Sequence, residues 1–309
     1  MTYNNAPAHF VDDKAYWVRP NGEDDALISP VILSVPHAGR DYPQHVLNNS
    51  RLPQNALQKL EDRYADQLAS KAVEAGYCAI IARAPRAWID LNRDPADIDL
   101  SNLTALPRDI RKQILAQQQE LPYAMKANAG LGLIPSRLAG YGDIWRTQWH
   151  WDDVKARIVN THAIYHDALS DRLTQRRNIH GCSVLLDVHS MPSLPRGRTN
   201  AQPSAQIVFG NRHGASADQS LMDILAHAAR SYGLVVEQNT PYAGGYVLSR
   251  HADARRNIQA VQIEFDRALY LDNRGEPAST IGQMQSLLCD MTNAAHDYAS
   301  SCLKVQAAE

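Results

Sequence analysis

The chain has 309 residues, 44% hydrophobic and 21% charged, with 31 Lys and Arg against 33 Asp and Glu for a formal net charge of -2. Such a length and composition suit a folded protein with a substantial core and exclude a long disordered tract, while the interspersed charge excludes the basic footprint of a nucleic-acid binder. No apolar run approaches the roughly 20 residues that cross a bilayer, and the first residues lack a basic segment followed by an apolar one, so the reading is a cytoplasmic protein with no membrane partner.

Taken in chain order, short apolar runs predict buried strands at Val31 to Val35, Cys78 to Ala82, Trp88 to Leu91, Ser183 to Val188, Gln206 to Phe209 and Ala260 to Phe265. Between the first two, Leu57, Leu60, Tyr64 and Leu68 recur at helical spacing, which predicts one helix from about Asn55 to Ala75 capped by Gly76. Further helices are expected over Trp151 to Arg176, Ser216 to Tyr232 and Thr280 to Tyr298. Strands alternating with helices predict an α/β fold: a single domain whose central sheet, mixed but largely parallel, is flanked by helices. The stretch at about 95–148, with Pro107, Pro122, Pro135 and the run AGLGLIP, reads as an irregular insertion covering the sheet. The cysteines Cys78, Cys182, Cys289 and Cys302 lack the close pairing of a zinc knuckle or redox motif and read as core residues.

Chemistry concentrates where strands end. His37 follows the first run in the sequence PHAG, and His189 follows an apolar strand in LLDVHSM, with Asp187 two residues earlier. In open α/β sheets the loops leaving the C-terminal strand ends form the ligand crevice, so two such histidines suit one metal, with a carboxylate or another histidine completing the three protein ligands of a catalytic zinc site. Glu61, Asp62 and Asp66 all qualify as that carboxylate, and helical geometry does not choose among them. At a third strand end Asn92 and Arg93 emerge from AWIDLNRD, and the planar guanidinium fork matches a substrate carboxylate, although a salt bridge with Asp90, Asp94 or Asp97 would also explain it. Glu264 lies within the apolar AVQIEFD; a buried carboxylate there must be paired or raised in pKa, as a general base beside a metal would be. Arg196 and Arg198 in LPRGRTN, and Gly244, Gly245 and Arg250 in YAGGYVLSRH, are further candidates for contact with an anionic ligand.

In order along the chain, SVPHAG, EDRYADQL, RAWIDLNRD, LLDVHSMPS, NRHGASAD, YAGGYVLSRH and VQIEFDRALY resemble the N-formylglutamate amidohydrolases, over about Ile28 to Gly282. The family includes enzymes of histidine degradation and is distantly similar to the zinc carboxypeptidases, which implies a zinc-carboxypeptidase-like fold. The resemblance places His37, Asp62 and His189 on the metal positions, with Glu61 the rival to Asp62, and implies zinc or another divalent transition metal as cofactor. It makes Glu264 the residue that activates water and Asn92 and Arg93 the holders of a substrate carboxylate; Gly245 and one or other of Arg198 and Arg250 are the candidates for further substrate contact. The implied reaction is hydrolysis of the formyl amide of N-formyl-L-glutamate or a related N-acyl amino acid. The alternatives are a zinc peptidase or γ-glutamyl hydrolase acting on a larger substrate, and a non-catalytic protein that binds acidic metabolites.

Overall fold

Consecutive apolar, β-branched residues have no polar face to show solvent, so they are stable as strands covered on both sides. In the computed structural model, which describes residues 16–19, 29–121, 125–195 and 204–306, these runs form the centre of a seven-stranded sheet. Its strands are β1 (Tyr16–Arg19), β2 (Val31–Val35), β3 (Cys78–Ala82), β4 (Ser183–Met191), β5 (Ile207–Gly210), β6 (Val236–Gln238) and β7 (Ile258–Asp266), in the spatial order β1-β3-β2-β4-β7-β5-β6. Pairing is parallel from β3 through β2 and β4 to β7 and again between β5 and β6, whereas β7 and β5 are antiparallel. The expected mixed, largely parallel sheet with flanking helices is present. Every residue of β2, β3 and β4 is buried.

Contacts divide the described residues into two compact units. The first, drawn from Trp17–Pro36, Asp62–Ile81 and Asp167–Glu309, holds the sheet. Its long helix Ile281–Gln306 packs on the helices Ser70–Glu74 and Gln219–Ser231 and on β2 and β4. The helix buries Met284, Leu287, Leu288, Met291, Ala295 and Ala299, a stripe at the three- and four-residue spacing that keeps one helical face against a core. No helix among the described residues is long and apolar enough to cross a membrane.

The second unit, drawn from Met1–Tyr16, His37–Glu61 and Ala82–His166, contains the stretch expected to be irregular. It carries the helix Arg108–Glu120 and two small ladders, Leu103–Thr104 with Trp149–His150 and Arg137–Leu138 with Gly142–Asp143. The AGLGLIP run is an internal brace. Gly130 has a positive φ of 77°, a Cβ on Gly132 would fall 2.4 Å from the Asp97 carbonyl oxygen, and Leu133 is fully buried. The Leu133 carbonyl in turn accepts from the Asp90 amide at 2.8 Å, so the run supports the segment that carries Asn92 and Arg93.

Three sequence expectations are corrected. The helix predicted over Asn55 to Ala75 is broken: Gln54–Leu57 passes into a 3-10 turn, Tyr64 takes the left-handed conformation at φ 59°, and helix resumes at Ala65–Leu68 and Ser70–Glu74. Periodicity did not reveal the break, because the chain on both sides keeps its apolar residues inward. Trp88 to Leu91 is a turn and not a strand; the Trp88 and Ile89 amides both bond to the Pro85 carbonyl, and the Asp90 side chain accepts from the Asn92 amide, local bonds that compete with a ladder. Finally, β4 and β7 continue through their polar residues, so His189 lies within β4 instead of following it.

At the end of the helix Ile164–His180, the buried Arg176 donates through Nη1 to the Ser29 carbonyl, and Ser29 Oγ lies 2.9 Å from His296 Nδ1. Burial lowers the His180 pKa, and the charges of Arg176 and His296 lower it further. The unfolded chain therefore takes up this proton near pH 6.5 while the folded protein resists it, so the stability supplied by neutral His180 is complete above pH 6.5 and lost as pH falls below it. Urea unfolding at about pH 7.5 and about pH 5.5 is expected to show a smaller acid loss of stability for His180→Gln than for the unsubstituted protein. Equal losses in the two proteins would show that His180 does not couple folding to pH.

Candidate metal centre

Parallel strands in register place side chains of one face side by side, and here that register aligns polar residues within an apolar sheet. Ser34 of β2 is opposite Asp187 of β4, Asp187 is opposite Gln262 of β7, and two residues on His189 is opposite Glu264. His189 Nε2 lies 2.9 Å from Asp187 Oδ2, and Ser34 Oγ donates to Asp187 Oδ1 at 2.7 Å. The other imidazole nitrogen, Nδ1, lies 3.0 Å from Asp62 Oδ2. Burial opposes a charge on His189, yet Asp187, Asp62 and Glu264 together hold its pKa well above the ordinary histidine value. The group is a concentrated patch of negative potential inside the protein.

Asp62 occupies the break in the expected helix. Its Oδ1 accepts from Arg267 Nη2 at 3.1 Å and Ser190 Oγ at 3.1 Å, and Arg267 Nε also donates to Ser190 Oγ. The Tyr270 hydroxyl donates to the Arg63 carbonyl at 2.9 Å, so the residues just after β7 fix both the carboxylate and the backbone beside it. Glu264, 7% exposed, accepts from Gln262 Nε2 at 2.8 Å, and Gln262 Oε1 accepts from the Gly245 amide at 3.0 Å. Gly245 thus bears on Glu264 through Gln262. Its neighbour Gly244 has the positive φ of 115°.

In the second unit, His37 Nε2 lies 2.7 Å from Asp90 Oδ1, and Arg86 Nε donates to Asp90 Oδ2 at 2.8 Å. Burial pushes the Asp90 carboxyl up, but Arg86, His37 and Arg93 overcome it and hold the group well below the usual carboxylate range. His37 is positioned by its loop: a Cβ on Gly39 would fall 2.0 Å from the Ala84 carbonyl oxygen, so the turn after β2 closes only with glycine there. Asn92 is buried, and Arg93 is steered by bonds from Nε to the Leu131 carbonyl at 2.9 Å and from Nη1 to the Asn92 carbonyl at 3.1 Å. His162 donates to the Arg93 carbonyl and His166 to that of Leu91.

His37, Asp62 and His189 are all buried, and each offers one ligand atom within 4.8 Å of the others. Donors on one ion at bond lengths of about 2 Å stand roughly 3–4 Å apart; His189 Nδ1 and Asp62 Oδ2 are 3.0 Å apart, and two imidazoles with a carboxylate are a donor set that suits a divalent metal of the zinc type. The histidine partners strengthen the fit, since a carboxylate on the second ring nitrogen, Asp187 for His189 and Asp90 for His37, orients an imidazole as a ligand and raises its basicity. Glu61, the rival carboxylate, instead accepts from the Tyr42 hydroxyl at 2.5 Å. Arg250 lies 3.7 Å from Asp167 Oδ1 and is partly exposed, while Arg196 and Arg198 fall outside the described residues.

Sequence reading missed the supporting role of Gln262; it named Asp90 only as a salt-bridge partner of Arg93, which lies 4.0 Å away, and Arg267 only as part of a structural cluster after Glu264, without their ties to His37 and Asp62. Gln262 could have been found, because it precedes Glu264 by two residues and so shares its strand face. Asp90 and Arg267 carry no such signal, since turns bring them into place.

Residues 29–271 match the family model of N-formylglutamate amidohydrolase. The N-formylglutamate deformylase of Pseudomonas putida is 25% identical over 245 residues, covering 79% of this chain and 82% of that protein. That of Pseudomonas aeruginosa is 23% identical over 252 residues, covering 79% and 83%. Among solved structures, N-formylglutamate amidohydrolase from Ralstonia eutropha JMP134 superimposes with a TM-score of 0.78 at 25% identity, over 92% of this chain and 98% of that one. By the match over residues 29–271, the chain belongs to the N-formylglutamate amidohydrolase family.

Proposed function

We propose that this protein is a zinc-dependent amidohydrolase that cleaves the formyl amide of N-formyl-L-glutamate, or of a closely related N-acyl amino acid. The observation that carries the reading is the buried His37, Asp62 and His189 set in a chain of this family. When bound there, zinc supplies Lewis acidity towards a carbonyl oxygen and brings the ionisation of water near neutrality.

The remaining steps belong to the protein. Glu264, aligned with His189 and held through Gln262, takes a proton from the attacking water and delivers it to the leaving nitrogen. The water oxygen joins the formyl carbon, the carbon–nitrogen bond breaks, and formate and the free amino acid leave. Asn92 and Arg93 hold a substrate carboxylate, a role that suits a guanidinium already steered by two backbone carbonyls. Arg198 or Arg250 engages the second carboxylate or the developing oxyanion, and Gly245 acts on Glu264 through Gln262.

Formate release is expected from N-formyl-L-glutamate with zinc-loaded protein, to a greater extent than from N-formyl-L-aspartate or an N-formyl neutral amino acid, and to vanish after chelation and return with added metal. Metal-loaded protein that releases formate from none of them would overturn the reading. Elemental analysis should find His37→Ala depleted of metal; full occupancy would remove His37 from the ligand set.

Steady-state kinetics separate the other roles. Glu264→Gln is expected to keep its metal and lose kcat by about 10²- to 10⁴-fold, the range of proton-transfer catalysis. Arg93→Ala should instead raise KM by roughly 10- to 100-fold for substrates bearing the carboxylate, as loss of a charge-assisted pair does. Unchanged selectivity between acidic and neutral substrates in Arg93→Ala would refute the clamp.

A further inference from the structure

The second unit contains a cleft of about 370 Å³ whose lining is separate from every residue assigned to the metal centre. Its walls carry Arg51, Arg137 and Arg146 against Asp99 and Asp143, and Trp145 and Trp149 contribute the aromatic surface. Both carboxylates are already engaged. Asp99 caps the turn after it, accepting from the Ser101 amide and hydroxyl and from Asn102 Nδ2, and Asp143 pairs with Arg137 at 3.2 Å. Among the described residues Arg51 and Arg146 are oriented without an acidic partner: Arg51 Nε donates to the Trp145 carbonyl at 2.7 Å and Arg146 Nε to the Ser50 carbonyl at 2.9 Å. Tethering at Nε leaves the terminal nitrogens of each fork for another acceptor.

A second observation comes from beneath the aromatic surface. Trp149 is 6% exposed, and its indole N–H has no acceptor among the described residues. The Arg157 guanidinium lies 3.8 Å from the centroid of that ring, is 2% exposed, and donates from Nη1 to the Trp88 carbonyl, while Nε and Nη2 have no acceptor among the described residues. Burial lowers the Arg157 pKa to about 9, opposed by exposed Asp153 one turn earlier on the same helix. His45, ring-to-ring with Trp88 and Trp149, has its pKa lowered by burial and then by Arg157. A buried cation under an indole whose cleft already presents two tethered guanidiniums makes a positive field in need of an anion.

We infer that this cleft binds a compact oxyanion of two negative charges, with Arg51 and Arg146 as its clamp and Arg157 as fixed charge behind Trp149. Phosphate and a small dicarboxylate share that chemistry and fit the volume, and bidentate guanidinium contacts serve either.

The test titrates the purified full chain with inorganic phosphate and, separately, with succinate, following thermal unfolding and calorimetric binding at constant ionic strength. Saturable stabilisation by at least one probe is expected, and the probe that binds more tightly identifies the class. Arg51→Gln with Arg146→Gln should weaken it by about 10-fold for each arginine removed. If that double variant fails to fold, Arg137→Gln serves, because the Arg137 side chain is 67% exposed and tethers no backbone; it should weaken binding several-fold. No saturable binding by either probe overturns the site, and so does stabilisation of equal size in the variant, which is the mark of a general salt effect.

Discussion

The structure is governed by the need to keep several ionisable groups inside an apolar sheet. Asp187 and Asp62 are 0% and 2% exposed, and Glu264 and His189 are nearly as buried. An isolated buried charge is costly, so each must meet a partner that compensates it. Register does the first part, by aligning β2, β4 and β7 so that Ser34, Asp187 and Gln262 form one polar row and His189 and Glu264 the next. Arginines do the second. Arg267 reaches Asp62 from just beyond β7, and in the other unit Arg86 and Arg93 hold Asp90 ionised beside His37.

That compensation explains why irregular backbone is concentrated near the candidate site. A regular helix through residue 62 would carry its carboxylate on the helix surface; the break ending in left-handed Tyr64 instead leaves Asp62 bonded to Ser190 and Arg267. Likewise the turn at Trp88 to Leu91 lets Asp90 accept from the Asn92 amide, and the AGLGLIP brace fixes that turn through Leu133. The irregular stretches thus support the candidate site, and Gly39 and Gly132 stand where a Cβ would strike backbone.

Much of the sheet was legible because its strands are buried on both faces and read as uninterrupted apolar runs: Val31–Val35 and Cys78–Ala82 fall where the sequence puts them. The short strands Tyr16–Arg19 and Val236–Gln238 were not, since runs of three or four residues carry little pattern. The histidines stood out as polar residues beside apolar strands, whereas choosing Asp62 over Glu61 required family resemblance. Helical periodicity is insensitive to a left-handed residue, and the geometry that separates the two carboxylates lies in that residue. Arg267 and Asp90 act across long sequence separations, which no local pattern encodes.

The ties from Arg267 to Asp62 and from Tyr270 to the Arg63 carbonyl set an order on assembly. A chain emerging from the ribosome has made His37, Asp62 and His189 well before residues 267 and 270 exist to steady them. Until then the aspartate segment lacks both the cation that offsets its charge and the hydroxyl that holds its backbone. The candidate metal site is therefore completed late in biosynthesis, and a nascent or truncated chain ending before Tyr270 carries His37, Asp62 and His189 without the ties that steady the Asp62 segment.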